Sequence, residues 1–450
     1  MFDHLSNEPV FNVKAIARQT DVAAATLRAW ERRYGIPSPP RTDSGYRLYS
    51  ARDVAMIRWL KSQVENGMSI SQAVQLLRSL QSTSANGHVE AIRSVINPQP
   101  SSYQRLHNDI AVAASDFDEE RIEAALGEAF SLFSVEDVCL NVIQPALITL
   151  GERWHSGEIN VSVEHFATNI VRRKLLALMA AAPTPTRSLR VVSGCAPGEY
   201  HEIGILMLSL FMRRGGYNII YLGQNISGTR LQEMLAKTQP DVLLLSASSL
   251  MAAANLMEVA VEIRMRESHA GVVVAYGGRI FNHLPALQDA VPGLYVGEDA
   301  EQAMDRIVTL FNDRQDAPSN SDTGHAGWAL PEVLSVYRMR RADIISTAVR
   351  LTETRLGSQY NYKRAAEAHQ NLSEIIDAVL RFNLPDILRD PNNWQWDAMP
   401  PDGIGLPTLK QFASHLIEAM LLVIPEPSRT ALLPFTEAMT ASFEPRSAST

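Results

Sequence analysis

Only two cysteines, Cys139 and Cys195, occur in 450 residues, and no Cys-x-x-Cys is present. Two thiols cannot build a disulfide framework, which excludes a stapled secreted scaffold and predicts a reducing, cytoplasmic setting. Long apolar runs are absent too. No stretch reaches the ~18 consecutive apolar residues of a spanning helix, so no membrane partner is expected. The first ten residues, MFDHLSNEPV, lack the basic flank and apolar centre of a secretory signal. What the chain does have is an ordinary globular mixture, 46% hydrophobic and 20% charged, which argues against wholesale disorder. Its length suits about three domains of roughly 150 residues.

The net charge of -8 would speak against a polyanionic partner if it were evenly spread. It is not. From Asn12 to Lys61 ten Lys and Arg stand against four Asp and Glu, a local excess of +6 that leaves the remainder near -14. A small basic head on an acidic body suggests that the head meets nucleic acid.

Periodicity divides the chain into four pieces, a multidomain α and α/β architecture. Residues 11–80 read as a winged helix-turn-helix. A short amphipathic helix covers Val13 to Arg18, and a second runs from Ala25 to Tyr34 and is closed by Gly35. Asp43-Ser44-Gly45 is turn chemistry followed by alternation through Tyr49, which predicts a two-stranded wing. Ser50 is placed to cap the next helix, and Ser69 or Ser71 another. A linker rich in Ser, Asn, Gln and Pro spans Gln81 to Ser102. Residues 103–182 then show helical periods, Asp118–Phe133, Val135–Trp154 and Val161–Ala181, after a shorter one, which makes a four-helix bundle. In residues 188–312 short apolar runs at 189–194, 218–222, 241–245, 272–276 and 294–296 alternate with helical segments. That is a Rossmann-like parallel sheet, whose ligands sit beyond the strands' carboxyl ends. Residues 327–443 read as a further helical domain, with no chemical motif.

In the head, Thr26, Arg28, Arg32 and Arg33 lie on the second helix, while Leu27 and Trp30 should face inward. Arginines on an outer helix face suit base edges and phosphates, and Arg41 and Arg47 with Tyr46 on the wing would reach the flanking backbone. A solvated basic surface has the same composition. In the sheet domain, Glu199-Tyr200-His201-Glu202-Ile203-Gly204 follows the first strand. A histidine there can donate Nε2 to a metal while a carboxylate two residues earlier holds the other nitrogen. Gly204 lets a bulky planar ligand approach. The hexapeptide alone equally describes a surface-loop histidine, but Ser246-Ala247-Ser248 and Gly277-Gly278 end the third and fourth strands on the same edge. Small residues there leave a slot. In the bundle, Trp154 ends one helix and Glu164-His165 begins the next, with Val161 between them. Without context these are a core tryptophan and an exposed pair, and His155 is a helix-end histidine.

Three resemblances bear on these residues. Arg28-Ala29-Trp30-Glu31-Arg32-Arg33-Tyr34-Gly35, followed by Pro39, Arg41, Gly45-Tyr46-Arg47 and Tyr49, resembles the MerR family of winged-helix transcription factors, in the form of its light-responsive, cobalamin-binding branch. The loop and slot resemble the cobalamin-binding domain of methionine synthase and the mutases. That resemblance implies His201 as the lower cobalt ligand in place of the cofactor's own base. Glu199 stands where that family often has Asp, and Ser248-Ser249-Leu250 stands at its S-x-L motif. The W-x9-E-H spacing resembles photoreceptor repressors of the CarH and LitR type. There the bundle caps the corrin, Trp154, Val161, Glu164 and His165 would surround the adenosyl group, and His155 would become a second cobalt ligand after light breaks the Co–C bond.

The resemblances imply a light-sensing repressor that holds adenosylcobalamin and operator DNA as a homodimer or tetramer, and that is not an enzyme. A cobalamin-binding regulator without photochemistry, a methyl-carrier protein and a regulator with an empty domain are the alternatives. The helical domain from 327 goes beyond the usual architecture of this branch and could dock a protein partner. Arg172-Arg173-Lys174 is expected on a solvated helix face, and His325, His369 and His415 in no ligand constellation.

Overall fold

The computed structural model describes residues 8–443 apart from 21, 23, 41–46, 66–69, 71–72, 75–76, 78–99, 227, 267–270, 313–331, 358–360 and 399–404. The chain falls into two compact units, residues 1–174 and 175–450. Among the described residues no helix is long and apolar enough to cross a membrane.

In the first unit the head is built from β1 (Phe11–Asn12), α1 (Val13–Thr20), α2 (Ala24–Tyr34), β2 (Leu48–Tyr49) and α3 (Ala51–Glu65). Ile16 of α1 and Leu27 of α2 are fully buried together with Ile57, and Trp30 packs on this cluster as expected. Gly35 closes α2 at φ +67°, its N–H donating to Glu31 O at 2.9 Å. At α3 the Asp53 N–H donates to Ser50 Oγ at 3.2 Å while Asp53 Oδ2 accepts from Ser50 N at 2.8 Å, a reciprocal cap. Tyr49 and Leu48 pair antiparallel with Phe11 and Asn12, while residues 41–46, which carry the turn of the expected two-stranded wing, lie outside the described residues. Leu48 N also donates to Pro40 O at 3.0 Å, so the loop's two arms do meet. The Ser69 and Ser71 caps and the linker from 81 to 99 lie outside the described residues. Ala73, Val74 and Leu77 are buried against Leu60.

The bundle comprises α4 (Pro100–Ser115), α5 (Glu119–Leu132), α6 (Val135–Val138), which passes through a π turn (Cys139–Ile143) into α7 (Gln144–His155), and α8 (Val161–Ala181). Helix α4 begins inside the expected linker, at Pro100. Asp118 and Ser134 accept from backbone N–H groups to cap α5 and α6. The basic run on α8 is not simply solvated. Arg173 pairs with Glu119, and Lys174 Nζ sits 2.7 Å from Glu123 Oε2, so both tie α8 to α5.

In the second unit, β3 (Arg190–Cys195), β4 (Asn218–Tyr221), β5 (Val242–Ser246), β6 (Val273–Gly277) and β7 (Leu294–Tyr295) form one parallel sheet in the order β4-β3-β5-β6-β7. Helices α9 (Ile203–Arg214), α10 (Gly228–Thr238), α11 (Leu250–Arg264), α12 (Arg279–His283), α13 (Ala286–Ala290) and α14 (Ala300–Asn312) connect the strands or follow them. Cys195 pairs with Ser246 and Ser246 with Gly277, so three strands end at one level. The chain leaves the sheet in opposite directions on the two sides of β3, the place where such sheets bind ligands.

The last helices are α15 (Glu332–Leu356), α16 (Tyr362–Phe382), α17 (Gln395–Ala398), α18 (Leu406–Val423) and α19 (Ser428–Ala441). Their core is continuous with that of the sheet domain: Leu256 and Met257 of α11 belong to one cluster with Leu372, Ile376 and Leu416. His325 lies outside the described residues, but His369 and His415 are brought together. His369 Nε2 and His415 Nδ1 each lie 2.8 Å from Thr352 Oγ1, which donates to Ala348 O at 2.9 Å. With its proton committed to that carbonyl, the hydroxyl accepts from both rings. His369 Nδ1 is then a buried acceptor without a hydrogen-bond partner. Among the described residues no three His, Cys, Asp or Glu side chains group to hold a metal ion.

Burial, then the nearby His415, pushes His369 down to about 4 from an ordinary 6.5. The unfolded chain therefore takes up this proton first. The associated stability is complete above pH 6.5 and is lost as pH falls toward about 4. Denaturant unfolding at pH 7 and pH 5 should differ by roughly 2 kcal/mol through this group, and His369→Leu should remove most of that difference. An unaltered pH dependence in the variant would show that the ring is not held neutral.

Candidate functional site

The loop after β3 is organised around one carboxylate. Glu199 is 1% exposed. Its Oε1 accepts from Tyr200 N and His201 N at 2.8 Å and faces His201 Nδ1 at 2.7 Å, while Oε2 accepts from Ser248 N. Burial by itself raises this carboxyl, but the His201 ring and the backbone N–H groups of His201 and Ser248 hold it below the ordinary value. It is therefore ionised near neutral pH and can only accept. That assigns the imidazole proton to Nδ1 and leaves Nε2 as the nitrogen with a lone pair for a metal. The His201 side chain is 78% exposed, so the ring stands out from a buried anchor.

The loop itself is pinned from the β4 side. Asn225, at φ +47°, accepts from Gly198 N through Oδ1 at 2.8 Å, and its own N–H donates to Glu199 O at 2.9 Å. Asn225 escaped the motif reading. Its signal was the turn chemistry of Gly223-Gln224-Asn225 just past a strand. Glu202, also buried, accepts from the Tyr221 hydroxyl and was likewise not singled out as a structural anchor.

The slot residues fall where the pattern placed them. Ser246 ends β5, half-buried, with its Oγ 3.7 Å from Cys195 Sγ. Burial pushes the Cys195 thiol up to about 12, so it stays protonated at neutral pH. Gly278 has φ +116°, and a Cβ there would lie 2.2 Å from Ala247 O. Gly278 thus lets the ends of β5 and β6 close on each other without a side chain, while a Cβ at Gly277 would meet Val296 Cγ2 at 3.3 Å, after β7. Around Gly204 a Cβ would meet nothing within 4 Å, an open surface at the start of α9. Ser248 contributes its backbone N–H to Glu199.

In the first unit the bundle residues occupy the α7–α8 turn. Trp154 is half-buried and His155 exposed at the end of α7, their ring centroids 4.6 Å apart. The carbonyls of Glu152, Arg153 and Trp154 accept from the N–H groups of Ser156, Glu158 and Gly157, so the helix end already has backbone donors. Across the turn, Glu164 Oε2 holds His165 Nδ1 at 2.7 Å and Oε1 accepts from Thr168 Oγ1 at 2.7 Å. His165 is exposed, and Val161 and Glu164 are half-buried. Trp154 is therefore not the core residue of the simpler reading.

In the head, Arg28 is exposed and Thr26 half-buried on α2. Arg32 and Arg33 share that helix, but their side chains lie outside the description, as do Arg41 and Tyr46 entirely. Arg47, just before β2, has its Nε 2.6 Å from Glu31 Oε2 of α2, a half-buried ion pair that orients its side chain.

Comparison with known proteins gives three family matches. Residues 11–80 match the MerR HTH family regulatory protein model, and residues 106–179 and 189–308 each match a B12 binding domain model. The chain is 29% identical over 292 residues to the HTH-type transcriptional repressor CarH of Myxococcus xanthus, covering 65% of this chain and 97% of that protein. To the repressor CarA of the same organism it is 27% identical over 307 residues, covering 68% and 97%. A monomethylamine corrinoid protein of Methanosarcina barkeri superposes with a TM-score of 0.38 at 14% identity, covering 47% of this chain and 98% of that one.

The side chains fit a corrinoid. A metal whose macrocycle fills its equatorial positions needs one imidazole from the protein, and the loop supplies one oriented by a buried carboxylate. Replacing such an orienting group commonly costs about 10–100-fold in metal affinity. Glu199→Gln should weaken cobalamin binding by a factor in that range, and His201→Ala should also alter the spectrum of the bound cobalt. Wild-type affinity in Glu199→Gln, by equilibrium dialysis, would remove the orienting role.

Proposed function

We propose that this chain, a CarH-type cobalamin-binding transcription regulator with a MerR head, binds operator DNA in the dark when loaded with adenosylcobalamin and releases it after light has cleaved the Co–C bond. The observation that carries the proposal is the Glu199–His201 pair: a buried, ionised carboxylate presenting an exposed imidazole beyond the first strand of a parallel sheet. Bound there, the cofactor would supply a bond that light can break.

The chain's own residues take the following roles. His201 would ligate the cobalt, with its proton kept on Nδ1 by Glu199. Ser246, Ser248, Gly277 and Gly278 accommodate the nucleotide tail, and Gly204 leaves room for the ring. Trp154, Val161, Glu164 and His165 enclose the adenosyl group, Trp154 by packing and Glu164 with His165 by polar contact. His155 would supply a second imidazole to the cobalt. Arg28, Arg32, Arg33 and Thr26 read DNA from α2, with Arg41, Tyr46 and Arg47 on the wing side. Several heads in one homo-oligomer would engage repeated sites together, and avidity would supply much of the affinity. Light can act only through the difference in cofactor affinity between the assembled and released states.

The test is reconstitution with adenosylcobalamin in darkness, with absorbance, molecular mass and operator binding followed before and after green light. Dark binding that collapses on illumination is expected. DNA binding indifferent to light but dependent on cobalamin would replace the photoreceptor with a cofactor-supply sensor. His155→Ala should keep dark DNA binding and change the illuminated spectrum, and identical illuminated spectra would dismiss its role.

A further inference from the structure

The helical segment from residue 332 lies beyond the family matches, which end at residue 308. Yet two of its charged side chains are tied to the backbone of the candidate site, Asp397 directly and Arg381 through Asn255. Helix α11 starts immediately after the Ser248–Ser249 turn and packs on α16. Asp397, on α17, accepts from Leu250 N at 3.0 Å. That N–H belongs to the first turn of α11, where no helical carbonyl is available and negative charge is favoured. Two residues earlier, Ser248 N donates to Glu199. One short turn is thus gripped by two carboxylates. Glu199 also holds the His201 ring, and Asp397 comes from the helical segment.

Arg381 of α16 makes a second tie. Its side chain is 5% exposed. Nη1 donates to Asn255 Oδ1 at 2.6 Å, and Asn255 Nδ2 donates to Pro197 O at 2.7 Å. Pro197 opens the loop that carries Glu199 and His201. Arg381 is fixed in turn by Asp377 Oδ2 at 2.6 Å, and Asp377 Oδ1 accepts from Arg338 Nε at 2.7 Å. The chain of charges also reaches the sheet domain at Glu258 of α11, 3.2 Å from Arg338 Nη2.

We propose that Asp397 and Arg381 are positioning residues of the cobalamin site, through which the C-terminal helices set the Pro197–His201 loop and the Ser248–Leu250 turn and so the orientation of the His201 imidazole. The inference rests on His201 being the cobalt ligand. Side-chain carboxylate and guanidinium contacts of this kind have two consequences. The imidazole keeps one direction when the cofactor is absent, and anything that shifts the C-terminal helices is felt at the metal.

The experiment uses the full chain loaded with hydroxocobalamin, comparing wild type with Asp397→Ala, Asp397→Asn, Arg381→Met and His201→Ala. Affinity, the absorbance spectrum of bound cobalt and amide exchange of residues 197–202 and 247–250 without cofactor are measured. Asp397→Ala and Arg381→Met should each weaken binding by about 10-fold or more, move the spectrum toward that of His201→Ala and raise exchange in both segments. Asp397→Asn, which keeps an acceptor for Leu250 N–H, should restore most of the spectrum. Wild-type spectra and affinities in Asp397→Ala and Arg381→Met, alongside an altered His201→Ala, would overturn the inference and leave the ligand assignment standing. A His201→Ala spectrum identical to wild type would remove the ligand assignment itself, and the inference with it.

Discussion

A carboxylate removed from water must be compensated at every lone pair or it protonates, and the loop after the first parallel strand is shaped by that demand on Glu199. Three backbone N–H groups and one imidazole nitrogen converge on its two oxygens. The convergence fixes more than the carboxylate. It curls residues 199–201 tightly, ties them to the turn after β5 and commits the His201 proton to Nδ1. The tautomer and direction of the His201 ring, which a metal ligand would need set beforehand, both follow from satisfying one buried charge. The small residues at the ends of β5 and β6 belong to the same constraint, since a side chain at Gly278 would meet the Ala247 carbonyl and push apart the strands that bring Ser248 to Glu199.

The head and bundle rest on different physics. There the decisive contacts are apolar, Ile16 against Leu27 and Ile57 in the head, with caps and ion pairs setting lengths and register. The Arg47–Glu31 pair shows how a charge read as a DNA contact can first serve to join two elements. An ion pair at partial burial orients a long side chain that would otherwise be free to reach solvent or phosphate.

The C-terminal helices are bound to the sheet domain by a shared apolar core and by charged ties. The buried Asp377–Arg381 pair, which the exposed Arg338 also meets, and Asp397 are costly to desolvate, and each is matched by partners across or within the helical segment. That arrangement makes the segment part of one folded unit with the cofactor-binding fold and not an appendage on a tether. The Thr352–His369–His415 cluster lies deeper among the same helices, where a single hydroxyl proton decides the tautomers of two rings.

Local periodicity and spacing were sufficient for most of the architecture. Strand and helix positions in the sheet domain, the four bundle helices, the cap at Ser50, and the Glu199–His201 and Gly277–Gly278 placements at strand ends all depend on residues close in sequence. The pairing of Leu48 with Asn12, the anchoring of Arg47 by Glu31, the meeting of His369 with His415 and the reach of Asp397 to Leu250 join residues far apart along the chain. No periodicity encodes them, because they depend on how faces already formed come to pack. The sequence by itself determined which elements form and which loop carries the imidazole. Only tertiary structure decided what holds that loop still, since the partners of a buried charge are chosen by proximity in space.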